Sequence, residues 1–255
     1  MRLNKHYWLA LVFFMPNQVF SDEADQFFQS MTKGLENSPQ SPVRGQLLPI
    51  NHTVLSSGLD GKLKRLPVRV GNDIAQGEII AEFDCDIEQA ENKIGQARET
   101  VAKENLDINK RLDELKSVSS RDLSVSVADF SISQAEFERS SAMLAQCVIS
   151  APFGGTITEK FVQAHQYVKK GEEIVELVDT HNLEVEMILP SMNLNQYQPG
   201  KVFTLIIDET GQEAKARIDR VVNVIDPVSQ TIRVIGVLVD NPQGLMPGMS
   251  GIVIF

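Results

Sequence analysis

The chain has 255 residues, with 24 Lys and Arg against 34 Asp and Glu, and a net charge of -10. An acidic chain without a basic block repels phosphate backbones, which argues against nucleic acid as a partner. Two cysteines and four histidines are too few for a multi-thiol zinc site or a disulfide-rich scaffold.

Residues 1–21 have the layout of a secretory signal peptide. Two basic residues precede an apolar run at 7–15, and a proline ends that run. The run is shorter than the roughly 20 apolar residues that a membrane-spanning helix needs. We therefore expect cleavage before Asp22 and export to the periplasm, with a retained anchor as the alternative. Residues 22–42 are polar, and we expect a loose leader there.

An internal repeat organises the next part of the chain. Residues 61–83 realign on 155–177 at a constant offset of 94, without a gap. The identical positions include Gly61/Gly155, Val68/Val162, Gly77/Gly171, Glu78/Glu172, Ile80/Ile174 and Glu82/Glu176. Each copy is typical of short strands separated by glycine turns. Each is too small to bury a core alone, so residues 58–84 and 148–179 should form one β domain.

Between the two copies, residues 85–147 change to a seven-residue period. Apolar residues recur at Ile87, Ile94, Val101, Ile108 and Leu115, and then at Leu123, Phe130, Phe137 and Leu144. Two heptad series separated by a short polar stretch predict an antiparallel helical hairpin with coiled-coil packing. Ser119 and Asp122 have the spacing of a capping box that opens the second helix.

Residues 180–255, together with 43–57, predict a small β-barrel. The strand-like runs are 183–189, 202–207, 214–224, 231–239 and 250–254, and they are separated by turns that contain proline or glycine. The predicted fold class is α+β and mostly β, and the predicted shape is elongated. A β-barrel would be followed by a β-sandwich that the helical hairpin splits into two halves.

Four segments in this order resemble the periplasmic adaptor subunits of tripartite efflux pumps, the membrane fusion proteins of the HlyD family. They are Ala151-Pro-Phe-Gly-Gly-Thr-Ile157, Gln166-Tyr-Val-Lys-Lys-Gly171, Leu183-Glu-Val-Glu186 and Leu245-Met-Pro-Gly-Met249. The resemblance covers residues 43–255 and implies that the split sandwich is lipoyl-like. One departure is His165, which stands where the family usually has glycine before Gln-Tyr-Val.

The resemblance also implies a function. The chain would be a non-enzymatic scaffold that links an inner-membrane efflux transporter to an outer-membrane channel of the TolC type, and that supports export of small molecules. Several copies would associate into a ring. The protein would lie in the periplasm, held at the cell envelope through its partners. A transporter of the RND type is favoured, and an ABC transporter is the alternative.

The resemblance points to the hairpin tip as the partner-binding site. Family hairpins that bind the channel often carry Arg, then Leu four residues later, then Ser. Arg111 and Leu115 keep the first spacing, and Ser120 is the nearest serine in the turn. The structural alternative for these residues is a solvated charge, a core leucine and a helix cap.

The two cysteines flank the predicted hairpin. Cys85 precedes its first helix and Cys147 follows its second, so they face each other across the base of an antiparallel pair. This arrangement can satisfy disulfide geometry, and an oxidising periplasm favours the bond. Two buried free thiols are the alternative.

We identify no catalytic, cofactor-binding or metal-binding residues. The histidines lack a spacing such as His-Glu-x-x-His, and no phosphate loop or nucleophile elbow is present. An acyl-carrier role would need a modifiable lysine in the turn between the sandwich halves, where 63 residues of hairpin stand instead. The second hypothesis for the function is a periplasmic metal- or drug-binding protein with an adaptor-like architecture.

Overall fold

The computed structural model describes residues 42–240 and 242–255. The predicted signal peptide at 1–21 and nearly all of the predicted leader at 22–42 lie outside the described residues. The helices are α1 (Asp86–Glu114) and α2 (Ser120–Ala145), with a short 3-10 helix at Ser191–Gln196. The strands are β1 (Arg44–Pro49), β2 (His52–Ser56), β3 (Gly61–Arg65), β4 (Asp73–Ile74), β5 (Ile79–Phe83), β6 (Val148–Ser150), β7 (Gly155–Lys160), β8 (Tyr167–Val168), β9 (Glu173–Val178), β10 (Leu183–Pro190), β11 (Val202–Ile207), β12 (Glu213–Asp226), β13 (Thr231–Leu238) and β14 (Ser250–Ile254). The predicted fold class is confirmed.

Six strands close the predicted barrel in the order β1-β10-β13-β12-β11-β14. Alternate side chains of each strand face the barrel interior. In β11, for example, Phe203, Leu205 and Ile207 are buried and the residues between them are not. The inward side chains of all six strands form one hydrophobic core.

The internal repeat produces two four-stranded sheets, β2-β9-β7-β4 and β6-β5-β3-β8. The offset of 94 carries β3 onto β7, β4 onto β8 and β5 onto β9. Each sheet contains strands from both halves, since β4 pairs with β7 and β8 pairs with β3. Neither half therefore completes a sheet alone, and together they bury a second hydrophobic core.

Residues 43–57 contribute one strand to the barrel and one to the sandwich. Sequence analysis placed all of 43–57 in the barrel, whereas β2 pairs with β9 in the sandwich. The same offset accounts for this, because Val54-Leu55-Ser56 aligns with Val148-Ile149-Ser150 in β6. The repeat thus begins at Val54, seven residues before Gly61.

The hairpin forms as predicted, and α2 begins with the predicted capping box. The Ser119 hydroxyl accepts a hydrogen bond from the Asp122 backbone N–H at 3.0 Å and donates one to the Asp122 carboxylate at 2.7 Å. Acidic residues occupy the first turn of α1, where the positive end of the helix dipole favours them.

The predicted packing of α1 is wrong. The five heptad residues Ile87, Ile94, Val101, Ile108 and Leu115 are between 52% and 73% exposed. We call these five residues the apolar stripe. The buried residues of α1 are Gly95, Ala102 and Leu106, which also follow heptad spacing.

Small residues explain which face of α1 is buried. A Cβ on Gly95 would lie 2.9 Å from the Ser140 hydroxyl oxygen and 3.2 Å from the Phe137 Cα, so glycine lets the helices approach closely. The Asn92 amide donates to the Ser141 hydroxyl at 2.7 Å across the same contact. On α2 the members of the predicted series are half-buried, and Leu144 packs on the sandwich core: Leu123, Phe130, Phe137 and Leu144.

Replacing His165 with glycine should stabilise the protein. His165 has a φ of 70°, in the left-handed region that disfavours residues with a Cβ by about 1 kcal/mol. Its side chain is exposed. We therefore expect His165→Gly to raise the free energy of urea unfolding by about 1 kcal/mol. Lys169→Gly is the control, because Lys169 lacks a positive φ and should lose stability. A loss in both variants would contradict the prediction.

Candidate functional site

The tip of the hairpin is a short turn between α1 and α2. Lys116 reverses the chain with a φ of 54°, and the Ser117 backbone N–H donates to the Leu112 carbonyl at 2.8 Å. The Ser117 hydroxyl donates to the Leu115 carbonyl at 3.1 Å. These bonds satisfy backbone groups that a helix end leaves open, so the tip is a defined turn.

The structure places all three predicted partner-binding residues at this tip, with their side chains exposed. Arg111 lies in the last turn of α1 and Leu115 caps the end of that helix, and their spacing of four residues places them on one face. Leu115 is 73% exposed, so it is not the core leucine of the structural alternative. Ser120 is the first residue of α2, but Ser119 provides the cap. The Ser120 hydroxyl is therefore not used as the helix cap.

The base of the hairpin is closed by a disulfide. Cys85 and Cys147 are bonded, with their Cα atoms 6.2 Å apart, and both are buried in the sandwich core. Glu88 brings a carboxylate close enough for the three side chains to resemble a metal-ligand set. Sulfur binds metals as thiolate, and both sulfurs are already in the disulfide.

Asp179 ties together the two chain segments that cross between barrel and sandwich. It is 1% exposed, and it follows β9 directly. The Asn51 amide donates to its carboxylate at 3.0 Å, as do the backbone N–H groups of His181 and Asn182. The Asn182 amide donates to both carboxylate oxygens. The Asp179 N–H itself donates to the Asn51 carbonyl at 2.9 Å. One side chain thus holds residues 50–51 and 179–182 in a fixed relation.

These hydrogen bonds set the charge state of Asp179. Burial by itself raises the pKa of this carboxyl, but the donors from Asn182, Asn51 and His181 outweigh burial and hold the pKa below its ordinary value. The stability that Asp179 contributes is therefore complete above pH 4, about the ordinary pKa of aspartate. It is lost as the pH falls through the lowered pKa of the folded protein.

Replacing Asp179 should destabilise the protein at neutral pH. We expect Asp179→Ala to lower the free energy of unfolding by about 2 kcal/mol, since its buried donors lose a charged acceptor. Asp179→Asn should show a smaller deficit that shrinks as the pH falls below about 4. Urea denaturation across this pH range measures both effects. Asp107→Asn, at an exposed position of α1, is the control, and an equal deficit at every pH would contradict the role of ionised Asp179.

The barrel carries an exposed apolar end that sequence analysis missed. Val224 near the end of β12 and Val228 in the turn to β13 are 70% and 93% exposed. Hydrogen bonds from the backbone N–H groups of Ser229 and Val228 hold the pKa of Asp226 below its ordinary value. The run of Val-Val-Asn-Val-Ile before Asp226-Pro227 is the sequence signal for this end, but the same run also predicts an ordinary strand.

Comparison with curated proteins identifies several relatives. The chain is 26% identical over 184 residues to an uncharacterised protein of Haemophilus influenzae, and 25% identical over 219 residues to nodulation protein NolF of Rhizobium meliloti. These matches cover 72% and 80% of this chain but only 48% and 59% of the relatives. The chain thus spans about half the length of the curated relatives it matches. It is also 25% identical over 166 residues to multidrug resistance protein MdtA of Erwinia amylovora, covering 59% of this chain and 41% of that protein. No protein-family model matches the chain.

Comparison with solved structures shows the same fold. A putative efflux transporter of Bacteroides eggerthii matches with a TM-score of 0.72 and 23% identity, covering 84% of this chain and 67% of that one. The membrane fusion protein Spr0693 of Streptococcus pneumoniae matches with a TM-score of 0.67 and 14% identity, covering 84% and 98%. A MacA–MexA chimera that contains the α-hairpin domain of Pseudomonas aeruginosa MexA matches with a TM-score of 0.69 and 22% identity, covering 82% and 78%.

The fold is that of the membrane fusion proteins, with the barrel, the split sandwich and the inserted hairpin in the predicted order. The resemblance to membrane fusion proteins predicted from the sequence is confirmed for the fold. Neither described helix is long and apolar enough to cross a bilayer.

Proposed function

We propose that the chain is a non-enzymatic periplasmic adaptor. It links an inner-membrane efflux transporter to an outer-membrane channel of the TolC type, and so supports the export of small molecules. The hairpins of several copies pack side by side as a conduit, and the transporter drives the substrate through it. An RND-type transporter is the favoured partner.

The observation that carries this proposal is the exposed tip. Leu115 presents an apolar side chain at the end of two long helices, beside the cationic Arg111. An apolar side chain next to a directional hydrogen-bond donor is suited to gripping another protein. The barrel also has exposed apolar side chains, at Val202 in β11 and at Val228 after β12. The transporter would dock there.

Photo-crosslinking in cells of the source organism tests the proposal. A photoreactive residue replaces Leu115, Val202 or, as a control, Tyr167, which is similarly exposed on the sandwich. We expect Leu115 to yield an outer-membrane channel, Val202 to yield an inner-membrane transporter, and Tyr167 to yield neither. Adducts only with soluble proteins would overturn the proposal. Binding of metal or drug by the purified chain, without such adducts, would favour the alternative function.

A further inference from the structure

The two helices of the hairpin leave a groove between them in the half nearer the tip. Its volume is about 730 Å³, and it is open along one side. Clefts of roughly 300–1,000 Å³ are the usual size of small-molecule sites. The groove follows α1 from Ala97 to Asn109, a length of roughly 18 Å at 1.5 Å per residue. It is therefore large enough for an organic molecule of several rings.

Small residues form the floor of the groove, and larger apolar residues form its walls. Ala102 of α1 and Ser126 of α2 are buried between the helices. Because their side chains are short, the hairpin does not fill the space above them. Val101 and Ile108 of the apolar stripe border this space on α1, and Val125 borders it on α2. These three side chains are between 49% and 58% exposed, so an apolar ligand would remove part of their surface from water.

The charged groups of the groove favour a cationic ligand. Asp122 and Asp129 line it from one face of α2. Arg98 is the one cation among the described residues of the lining, and its guanidinium is already paired with the Glu136 carboxylate at 3.4 Å. Within residues 42–240 and 242–255, Asp129 takes part in no ion pair or hydrogen bond. The groove therefore presents a carboxylate that has no counter-ion in the hairpin.

The spacing of the two carboxylates argues against a metal ion as the occupant. Asp122 and Asp129 are seven residues apart, which separates their backbones by roughly 10 Å. The oxygen ligands of one hard cation all lie within about 2.6 Å of it. An anion would be repelled by both carboxylates, and a neutral ligand would gain nothing from Asp129. The chemistry that fits both the walls and the charge is an organic cation with an apolar body.

We propose that this groove binds amphipathic organic cations. The apolar body of the ligand packs against Val101, Ile108 and Val125. Its positive centre lies beside the Asp129 carboxylate, and Asn105, which also lines the groove, offers an amide to a polar substituent. The inference goes beyond the proposed adaptor function, because binding in this groove needs neither a channel nor a transporter.

Binding of tetraphenylphosphonium to the full chain tests the inference. This cation has an apolar body and one permanent charge, and tetraphenylborate is an anion of nearly the same size and shape. Isothermal titration calorimetry at low ionic strength compares the two, because salt screens a solvent-exposed charge pair. We expect the cation to bind at a single site and the anion to bind at least about tenfold more weakly.

Two pairs of variants locate the site. Asp129→Asn should weaken binding of the cation about tenfold, since it removes the charge that faces the ligand. Asp107→Asn is its control and should keep the wild-type affinity, because Asp107 is exposed on α1 outside the groove lining. Val125→Lys should abolish binding by placing a long cation in the groove. Val127→Lys should not, because Val127 is similarly exposed, at 45%, but lies outside the lining.

Each outcome decides for or against the inference. Equal binding of the two ions would indicate adsorption to apolar surface alone and overturn it, as would equal affinities of Asp129→Asn and Asp107→Asn. Absence of binding to the wild type would also overturn it. If Val125→Lys then lowered the sedimentation coefficient, another copy of the chain would be the occupant of the groove.

The photo-crosslinks at Leu115 report separately on the proposed function. Channel adducts without binding of the cation would overturn the inference and leave the adaptor function standing. Binding of the cation without channel adducts would support the inference and favour the alternative function.

Discussion

Replacing Cys85 and Cys147 together with alanine should lower the free energy of unfolding by about 4 kcal/mol, the loss that chain-entropy arguments give for a loop of this length. The bond spans 62 residues, the whole of the hairpin. In its absence the unfolded chain regains the freedom of that loop, while the folded chain loses the clamp at the hairpin base. Chemical denaturation of the oxidised wild type and of the double variant measures the difference.

Single variants provide the control for this disulfide. Cys85→Ala or Cys147→Ala should each lose nearly as much as the double variant, because the first substitution already opens the loop. Alkylation of the denatured, unreduced wild type should add no mass. A double variant less than about 1 kcal/mol below the oxidised wild type would contradict a stabilising role for the bond.

The domain order could be predicted because it follows from a repeat. A constant offset of 94 requires the two segments to fold alike, and insertion of a heptad segment between them leaves their strands free to pair. The same offset would also have placed Val54-Leu55-Ser56 in the sandwich. This match to Val148-Ile149-Ser150 is only three residues long and lies before the first aligned glycine pair. A domain boundary drawn from the glycine motifs therefore assigned these residues to the barrel.

The exposed face of α1 could not be predicted from heptad spacing alone. Both the apolar stripe and the buried set that contains Gly95 and Ala102 repeat every seven residues, so periodicity does not decide between them. Hydrophobicity favoured the stripe. Packing favoured the smaller residues, because Gly95 lets the backbone of Phe137 approach α1. The apolar side chains that lost this competition are therefore available for contacts between molecules.

The tip residues illustrate the limit of motif matching. The spacing of Arg111 and Leu115 placed them correctly near the end of α1, and the turn then exposed both of them. The spacing of Ser119 and Asp122 predicted which serine caps α2, and the structure shows that cap. The distinction frees the hydroxyl of Ser120 from a capping role.

Replacing Gly155 with alanine should destabilise the sandwich by about 3 kcal/mol, the upper part of the range for overpacked sites. A Cβ at this position would lie 2.2 Å from the Val178 carbonyl oxygen and 3.1 Å from the Asp179 Cα. Both of these atoms are backbone and cannot rotate away. The clash would push β7 from β9 exactly where the chain crosses to the barrel, so the hydrogen bonds of Asp179 would be strained as well.

Two neighbouring glycines make the Gly155 prediction specific. A Cβ on Gly154 would meet nothing closer than 3.6 Å. One on Gly61, the counterpart of Gly155 in the repeat, would meet side-chain atoms rather than backbone: the end of Leu59 at 2.9 Å, which can move, and the Phe83 ring at 3.3 Å. Thermal and urea unfolding should therefore rank Gly155→Ala well below Gly154→Ala and Gly61→Ala. Equal stability of the three variants would show that β7 does not approach Val178 this closely. The requirement for glycine in the Ala-Pro-Phe-Gly-Gly segment thus arises from the second glycine, Gly155. Without a side chain there, β7 can pack against the backbone of Val178 and Asp179, where the chain crosses from the sandwich to the barrel.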